Sequence, residues 1–434
     1  MRAYLRVRPQ GSLQSDAPPL ARPLNVIDAL ADRAVWSSAV ATFVERHPRH
    51  ADRADAYRAL LAAEEDRRIA GAVAAGRYRP DPATEVSINK RDGRKKKLYL
   101  LAPRDELLQR VLNGLLQPAV ADAVPASCHS FLPGRGPRTA FRALRAIPDR
   151  DDLACIRMDV RDYFNSVDVV RLMATLPASL AADSALVRVL EAFLLDARVV
   201  RSGTTTNESR KGVMAGTPLG PLLGNLALAD LDAAAETAGL GWARYSDDLL
   251  ALCDGGAAAD VDAWLREELR AHDLEPNESK CGIAAPGDPW DFLGFRHHGG
   301  VVDLAPHTLR KLQARCDRLS RRVAKSRSVA SLPAAVAARR FVRRLQRKLY
   351  GWDADRAAFS WAAWYFPVLT TDAGLAAADR VVQERVRYAA TGLRTARAHR
   401  RLPYPMLREV GYVPLVGAWW SWRRDPARLA DRIA

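Results

Sequence analysis

The chain has 434 residues (47.7 kDa), 48% of them hydrophobic and 27% charged, which excludes a mini-protein and a disordered chain and allows two or three domains or one multi-lobed catalytic unit. Its formal charge of +16 is uneven: residues 296–434 hold 28 Lys and Arg against 10 Asp and Glu, a net of +18, so residues 1–295 carry −2. Five cysteines without a CxxC pair argue against a zinc knuckle or a secreted disulfide framework, and no segment has a signal peptide's apolar stretch or the roughly 18 unbroken apolar residues of a membrane span, so the expectation is a cytoplasmic protein with no membrane contact.

After an irregular arm, residues 25–76 repeat apolar side chains at helical spacing (Val26, Leu30, then Trp36, Val40, Phe43), with a break near 47–50. Residues 85–101 read as two short strands joined by a KRDG turn, the second opening on Lys95, Lys96 and Lys97. Helical periodicity returns over 104–120, and PGRG at 133–136 is a turn before another helix. LACIRMDV (153–160) alternates: Ile156, Met158 and Val160 point one way, and Cys155, Arg157 and Asp159 the other, so a strand is expected to bury the first set and present Asp159 on the second. Leu222, Leu223, Leu226 and Leu231 lie along a helix. Residues 242–245 and 249–253 are strands joined by the polar turn Ser246, Asp247, Asp248, followed by an amphipathic helix (262–274) and a short strand (291–295). The remainder is mainly helical, with Arg321, Arg322, Arg343 and Arg344 in its densest basic stretch, suited to a phosphate backbone or to a solvated helix face. His297 and His298 are expected at the surface or facing RNA rather than as metal ligands.

Carboxylates from neighbouring strands gathered over hard cations are what two-metal phosphoryl transfer requires, and Asp159 with Asp247 and Asp248 supply that set if their strands are neighbours. A DD pair alone is more often a turn, and Asp151–Asp152 is another in this chain; the order of the surrounding pieces gives this one weight.

Those pieces resemble the reverse transcriptases. MDVRDYFNSVD (158–168) is similar to their first palm motif, KGVMAGTPLGPLLGN (211–225) to the second, RYSDDLLAL (244–252) to the YxDD hairpin, LEPNESK (274–280) to the motif after it, and FLGF (292–295) to the strand that grips the primer. Upstream, INKRDGRKKKLYL (88–100) resembles the fingers hairpin and CHSFLPGRG (128–136) the fingers segment usually seen as FRPGR. The resemblance implies an α+β right-hand polymerase: an N-terminal arm and fingers (1–152), an antiparallel-sheet palm (153–298) and a basic helical thumb with the C-terminal region (299–434). It implies Asp159, Asp247 and Asp248 as catalytic residues, two Mg²⁺ ions (Mn²⁺ able to substitute) held by these with Val160, nucleotide contacts from Lys97, Arg104, Arg135, Phe164, Gly216 and Lys280, and nucleic-acid contacts from Tyr245, Gly294, Arg321, Arg322, Arg343 and Arg344. Phe164 stands where the family excludes a ribose 2′-hydroxyl. Three positions depart from the pattern: Met214 and Ala215 precede Gly216 where a Gln is usual, Gly220 replaces a common Ser, and Leu132 replaces the first Arg of FRPGR.

Lacking a Cys/His nuclease set and the marks of retron or diversity-generating enzymes, the chain looks most like bacterial reverse transcriptases of the unknown-group class, many of them antiphage. That resemblance implies dNTPs as substrates, a non-coding RNA template, a DNA product, and a homo-oligomer or a second protein of the same locus. A group II intron-type maturase and a template-independent polymerase stay open as alternatives. Trp361, Trp364, Tyr365 and Trp419–Trp422 suit either a helical core or base stacking.

Overall fold

The computed structural model describes residues 25–89, 95–207, 212–351 and 360–425, and the chain divides into two compact units, Met1–Pro286 and Gly287–Ala434. The fold is α+β, as expected. In the first unit, helices Val26–Ala31 and Arg33–Arg46 are capped by the side chains of Asn25 and Asp32, and the break at 47–50 separates them from Ala51–Ala62 and Glu65–Ala74. The strands follow in chain order: β1 (Ala83–Asn89), β2 (Lys95–Leu100), β3 (Ala154–Asp159), β4 (Arg198–Arg201), β5 (Thr204–Asn207), β6 (Gly241–Tyr245), β7 (Asp248–Cys253) and β8 (Gly282–Ala284). The expected KRDG turn between β1 and β2 lies outside the described residues.

Two four-stranded sheets result. One runs β2-β1-β4-β5, with β1 antiparallel to β2 and parallel to β4; the sequence reading missed β4 and β5. The other runs β6-β7-β3-β8, all antiparallel. Helix Pro103–Ala123 brings Leu107, Leu108, Val111, Leu112 and Leu116 into the core at helical spacing. The leucines after Pro221 are buried on two short helices, Gly220–Leu226 and Ala229–Thr237, rather than one.

One expectation for β3 is corrected. Ile156, Met158 and Val160 are buried as predicted, yet Cys155 (1% exposed) and Asp159 (3%) on the opposite face are buried too, Asp159 beneath Asn277 and Lys280, while Arg157 between them is half-buried.

In the second unit, FLGF is a hairpin and not a single strand. β9 (Trp290–Phe292) turns through Leu293 (φ 51°) and Gly294 (φ 90°) into β10 (Phe295–His298), with Phe292 paired to Phe295. Two consecutive positive φ values match the twist of a two-residue hairpin, and the second falls on a glycine. β11 (Val301–Leu304) completes the sheet. Alternation along β10 points Phe295 and His297 inward, so His297 is buried (3% exposed) and stacks on Trp290 at 4.5 Å, while His298 is exposed. Helices Pro306–Val329 and Ala334–Leu349 flank the Pro333 break. Of the aromatic segments, Trp419 is buried and donates to Phe366 O (3.2 Å), the half-buried Trp364 donates through Nε1 to Leu293 O (3.2 Å), and Trp420 is 44% exposed.

Candidate active site

Three carboxylates meet at one end of the β3–β7 pair. Asp159 closes β3, Asp248 opens β7, and the two are direct cross-strand partners, a relation that sets Cβ atoms about 4.5–5.5 Å apart. Asp247 sits in the two-residue turn from β6 to β7, which Ser246 enters in a left-handed conformation (φ 60°). The carbonyl of Asp247 accepts from Val160 N at 2.9 Å, tying the turn to the residue after Asp159.

The site is rich in negative charge. Asp159 accepts from Asn277 Nδ2 (2.8 Å) on one oxygen and from the Lys280 ammonium on the other, and its backbone carbonyl accepts from Asn277 N (2.7 Å). Burial, with the charges of Asp247 and Asp159, pushes the Asp248 carboxyl up to about 7. Asp247 is raised by burial and then by Asp159. Burial pulls the Lys280 ammonium down, but its bond to Asp159 and the charges of all three acids outweigh that and hold it above the usual lysine value.

Hard oxygen donors suit Mg²⁺ or Mn²⁺. Among the described residues no three His, Cys, Asp or Glu side chains form a closed metal cage, and here both Asp159 oxygens are engaged by Asn277 and Lys280. The donor set therefore fits a divalent cation on condition that Lys280 releases Asp159. Val160 has no ligand atom in its side chain and offers only its carbonyl.

A buried polar scaffold underlies the hairpin. The Arg244 guanidinium and the Asp232 carboxylate, each 0% exposed, pair through Nε (2.8 and 3.0 Å) and Nη2 (2.5 Å), and Arg244 Nη2 also donates to Asn225 O (3.0 Å). Burial lowers the Arg244 pKa, but the Asp232 charge prevails and holds it above the ordinary arginine value. Ser130 Oγ donates to Asn225 Oδ1 (2.8 Å) and accepts from Ser246 N (2.9 Å). Residues 127–130 run beside β6, with Arg244 N donating to Ser127 O (2.9 Å) and His129 N to Arg244 O (2.8 Å).

The predicted nucleotide contacts divide. Phe164 is half-buried, its ring over Gly224, where a Cβ would lie 2.9 Å from Phe164 Cε1. Asn165, its neighbour, accepts from Ala215 N (3.0 Å) and donates to Lys97 O (3.3 Å), while Tyr99 N donates to Ala215 O (2.9 Å); Gly216 lies over Tyr99 and Leu98. The second motif is thus latched to β2, and Lys97, exposed on that strand, pairs with Glu85 at 3.4 Å. Arg104 instead faces Asp81, Asp105 and the carbonyl of Arg79. Arg135 has a different task from the expected one: its guanidinium donates to the carbonyls of Ala121 (3.1 Å), Val124 (3.3 Å), Pro125 (2.7 Å) and Cys128 (2.9 Å), closing the end of helix Pro103–Ala123.

Of the nucleic-acid candidates, Tyr245 is half-buried at the end of β6, 5.9 Å between ring centroids from Phe131. Gly294 lies in the β9–β10 turn, its carbonyl accepting from Thr308 Oγ1 (2.7 Å). Arg321, Arg322, Arg343 and Arg344 are exposed on helices whose other faces bury Leu312, Cys316 and Val323, and Phe341, Val342 and Leu345. Sequence reasoning missed Asn277, Asn165, Phe131 and the Arg244–Asp232 pair; the Arg before YSDD and the Phe of SFLPGRG were the available signals.

Residues 88–297 match the family model described as reverse transcriptase (RNA-dependent DNA polymerase). An uncharacterized 91 kDa protein in the cob intron of Schizosaccharomyces pombe is 27% identical over 158 residues, covering 35% of this chain and 18% of that protein. Among solved structures, apo telomerase from Candida tropicalis is similar at a TM-score of 0.46 and 11% identity (77% of this chain, 62% of that one), and a partial Cas6-RT-Cas1–Cas2 complex at 0.34 and 20% (60% and 46%). The chain therefore spans less than a fifth of the curated relative it matches and under two thirds of these structural neighbours.

Proposed function

Because residues 88–297 make this chain a member of the reverse transcriptase family, we propose that it is an RNA-directed DNA polymerase that extends a 3′-hydroxyl with dNTPs copied from an RNA. The observation that carries the reading is the register that makes Asp159 and Asp248 cross-strand partners with Asp247 in the adjoining turn. Two Mg²⁺ ions bound there would lower the pKa of the attacking hydroxyl and neutralise the leaving pyrophosphate. The chain's own residues do the rest. Arg244, Asp232, Ser130 and Asn225 fix the hairpin that presents Asp247 and Asp248; Lys280 leaves Asp159 and becomes available to the triphosphate; Lys97 on β2 faces the same ligand; and Phe164 packs under the sugar.

In this reading fingers occupy residues 1–152, the palm 153–298 and the thumb 299–434, whose exposed arginines track a phosphate backbone. A non-coding RNA template, a partner protein or second copy, a cytoplasmic location and an antiphage role are supported by the motif resemblance alone. No helix among the described residues is long and apolar enough to cross a membrane. Template-independent synthesis is the second reading, favoured by Ala215, whose backbone is held by Asn165 and Tyr99 and whose side chain offers a nucleotide no polar group.

The test is extension of a DNA primer on an RNA template with Mg²⁺, dNTPs or NTPs, beside Asp247→Asn. Extension with dNTPs, lost in the variant, is the expected result. Extension that ignores the template sequence selects the second reading, and extension that survives the variant rejects both.

A further inference from the structure

We propose that the ring of Phe131 is a nucleobase-stacking platform beside the three carboxylates; the inference rests on the polymerase reading and deepens it by naming a surface that holds a base. The residues around Phe131 are fixed by the fold. Ser130 is fully buried and bonded to Asn225 and to Ser246 N, Leu132 is buried in the core, and Arg135 binds the carbonyls of Val124, Pro125 and Cys128. Between Ser130 and Leu132 the Phe131 ring turns outward, 41% exposed, with a φ of 57°, and the PG turn that follows it, Pro133 and Gly134, is exposed as well.

A bulky residue held in the left-handed region is an outlier, and such outliers concentrate where a ligand is handled. Core packing does not account for it, since the adjacent Leu132 already fills the inward position. The ring lies instead 5.9 Å from Tyr245 and 6.2 Å from Phe164, tilted by 52° and 56°. Tyr245 leads into the Ser246–Asp247 turn, and Phe164 follows Asp159 by five residues. Phe131 is thus the exposed member of an aromatic cluster flanking the carboxylates. The planar, apolar group that the proposed reaction brings to such a face is a nucleobase, and base–aromatic stacking tolerates all four bases. The base comes either from the unpaired template strand or from the incoming nucleotide.

Full-length protein with Phe131 replaced by Tyr, Leu or Gly separates the cases. Phe131→Gly accepts the left-handed backbone while removing the ring, Phe131→Leu keeps apolar bulk without a π-face, and Phe131→Tyr keeps the π-face; thermal melting checks that each variant folds. One arm measures binding and fluorescence quenching of RNA carrying 2-aminopurine at the templating position, and needs no catalysis. The other measures KM and kcat for dNTPs. The Tyr variant is expected to match the parent, while Leu and Gly weaken RNA binding or raise the dNTP KM by about 5- to 100-fold with kcat little changed. Quenching lost in Leu and Gly assigns the template base; quenching retained with a raised KM assigns the incoming base. A Leu variant equal to the parent in both arms overturns the platform. Asp247→Asn, run alongside, is expected to lose incorporation and keep quenching; incorporation that persists overturns the polymerase reading without altering the stacking result.

Discussion

Replacing Asp248 with Asn is expected to abolish nucleotide incorporation and, in a metal chelator at pH 8, to make the protein more stable. The folded-state carboxyl is raised to about 7 by burial and by Asp247 and Asp159, against about 3.9 in an unfolded chain. A group raised in this way contributes its full stability below pH 4, where it is protonated in both states, and loses it as pH climbs from about 4 to 7. Three pKa steps at about 1.4 kcal/mol each bound the loss at about 4 kcal/mol. Solvent screening on the partly open side of the site reduces it to about 2–4 kcal/mol. Asn keeps the shape and removes the charge, so its melting temperature at pH 8 should exceed the parent's by about 4–10 °C, with the difference vanishing near pH 4. Adding Mg²⁺ should stabilise the parent and leave the variant nearly unmoved. Thermal melts between pH 4 and 8, with chelator and with Mg²⁺, measure both effects. A variant no more stable than the parent in chelator at pH 8 would refute the claim that the carboxylates sit together under electrostatic strain.

The buried Arg244–Asp232 pair gives a second expectation. Asp232→Ala strands a guanidinium in the core and should cost about 3–5 kcal/mol in denaturant unfolding, whereas the double change Arg244→Met with Asp232→Leu should regain most of that stability without regaining incorporation. Recovery of both together would mean that the pair does not place the hairpin. His272, buried and bonded to Asp230 (2.8 Å) and to Glu268 O (2.7 Å), is pulled down by burial but raised overall by Asp230, so its stabilising share is present below its ordinary value and lost as pH rises through the raised one. Denaturant unfolding at pH 6 and 8.5 should show that loss in the parent and not in His272→Leu. Gly224→Ala drives a methyl group into the Phe164 ring and should shift the preference between dNTPs and NTPs, which competition assays read; an unchanged ratio would remove Phe164 from sugar selection.

The strands that carry the acids were legible in the sequence because their apolar alternation and short polar turns are local signals, and the helix breaks at 47–50 and Pro333 likewise. What failed depended on contacts distant in sequence. β4 and β5 are short, and only the Ser202–Gly203 turn between them marked a hairpin; β4 was placed by pairing with β1, more than a hundred residues upstream, and β5 by pairing with β4. The Leu293–Gly294 turn hid within an apolar FLGF run that reads equally well as one strand. Alternation placed Asp159 on the face opposite Ile156 but said nothing of Asn277 and Lys280, which close over it. An arginine in a motif is silent about whether its donors face a ligand or carbonyls, and Arg135 faces carbonyls. A buried ion pair such as Arg244 with Asp232 has no sequence signal beyond two charges in apolar surroundings.

The most direct test of the account uses protein purified with its native RNA, supplied with Mg²⁺ and labelled dNTPs beside Asp247→Ala, with every product sequenced. The expected product is DNA that requires Asp247 and is complementary to the bound RNA. An RNA that is bound while nothing is incorporated, or a product equally abundant in the variant, would contradict it.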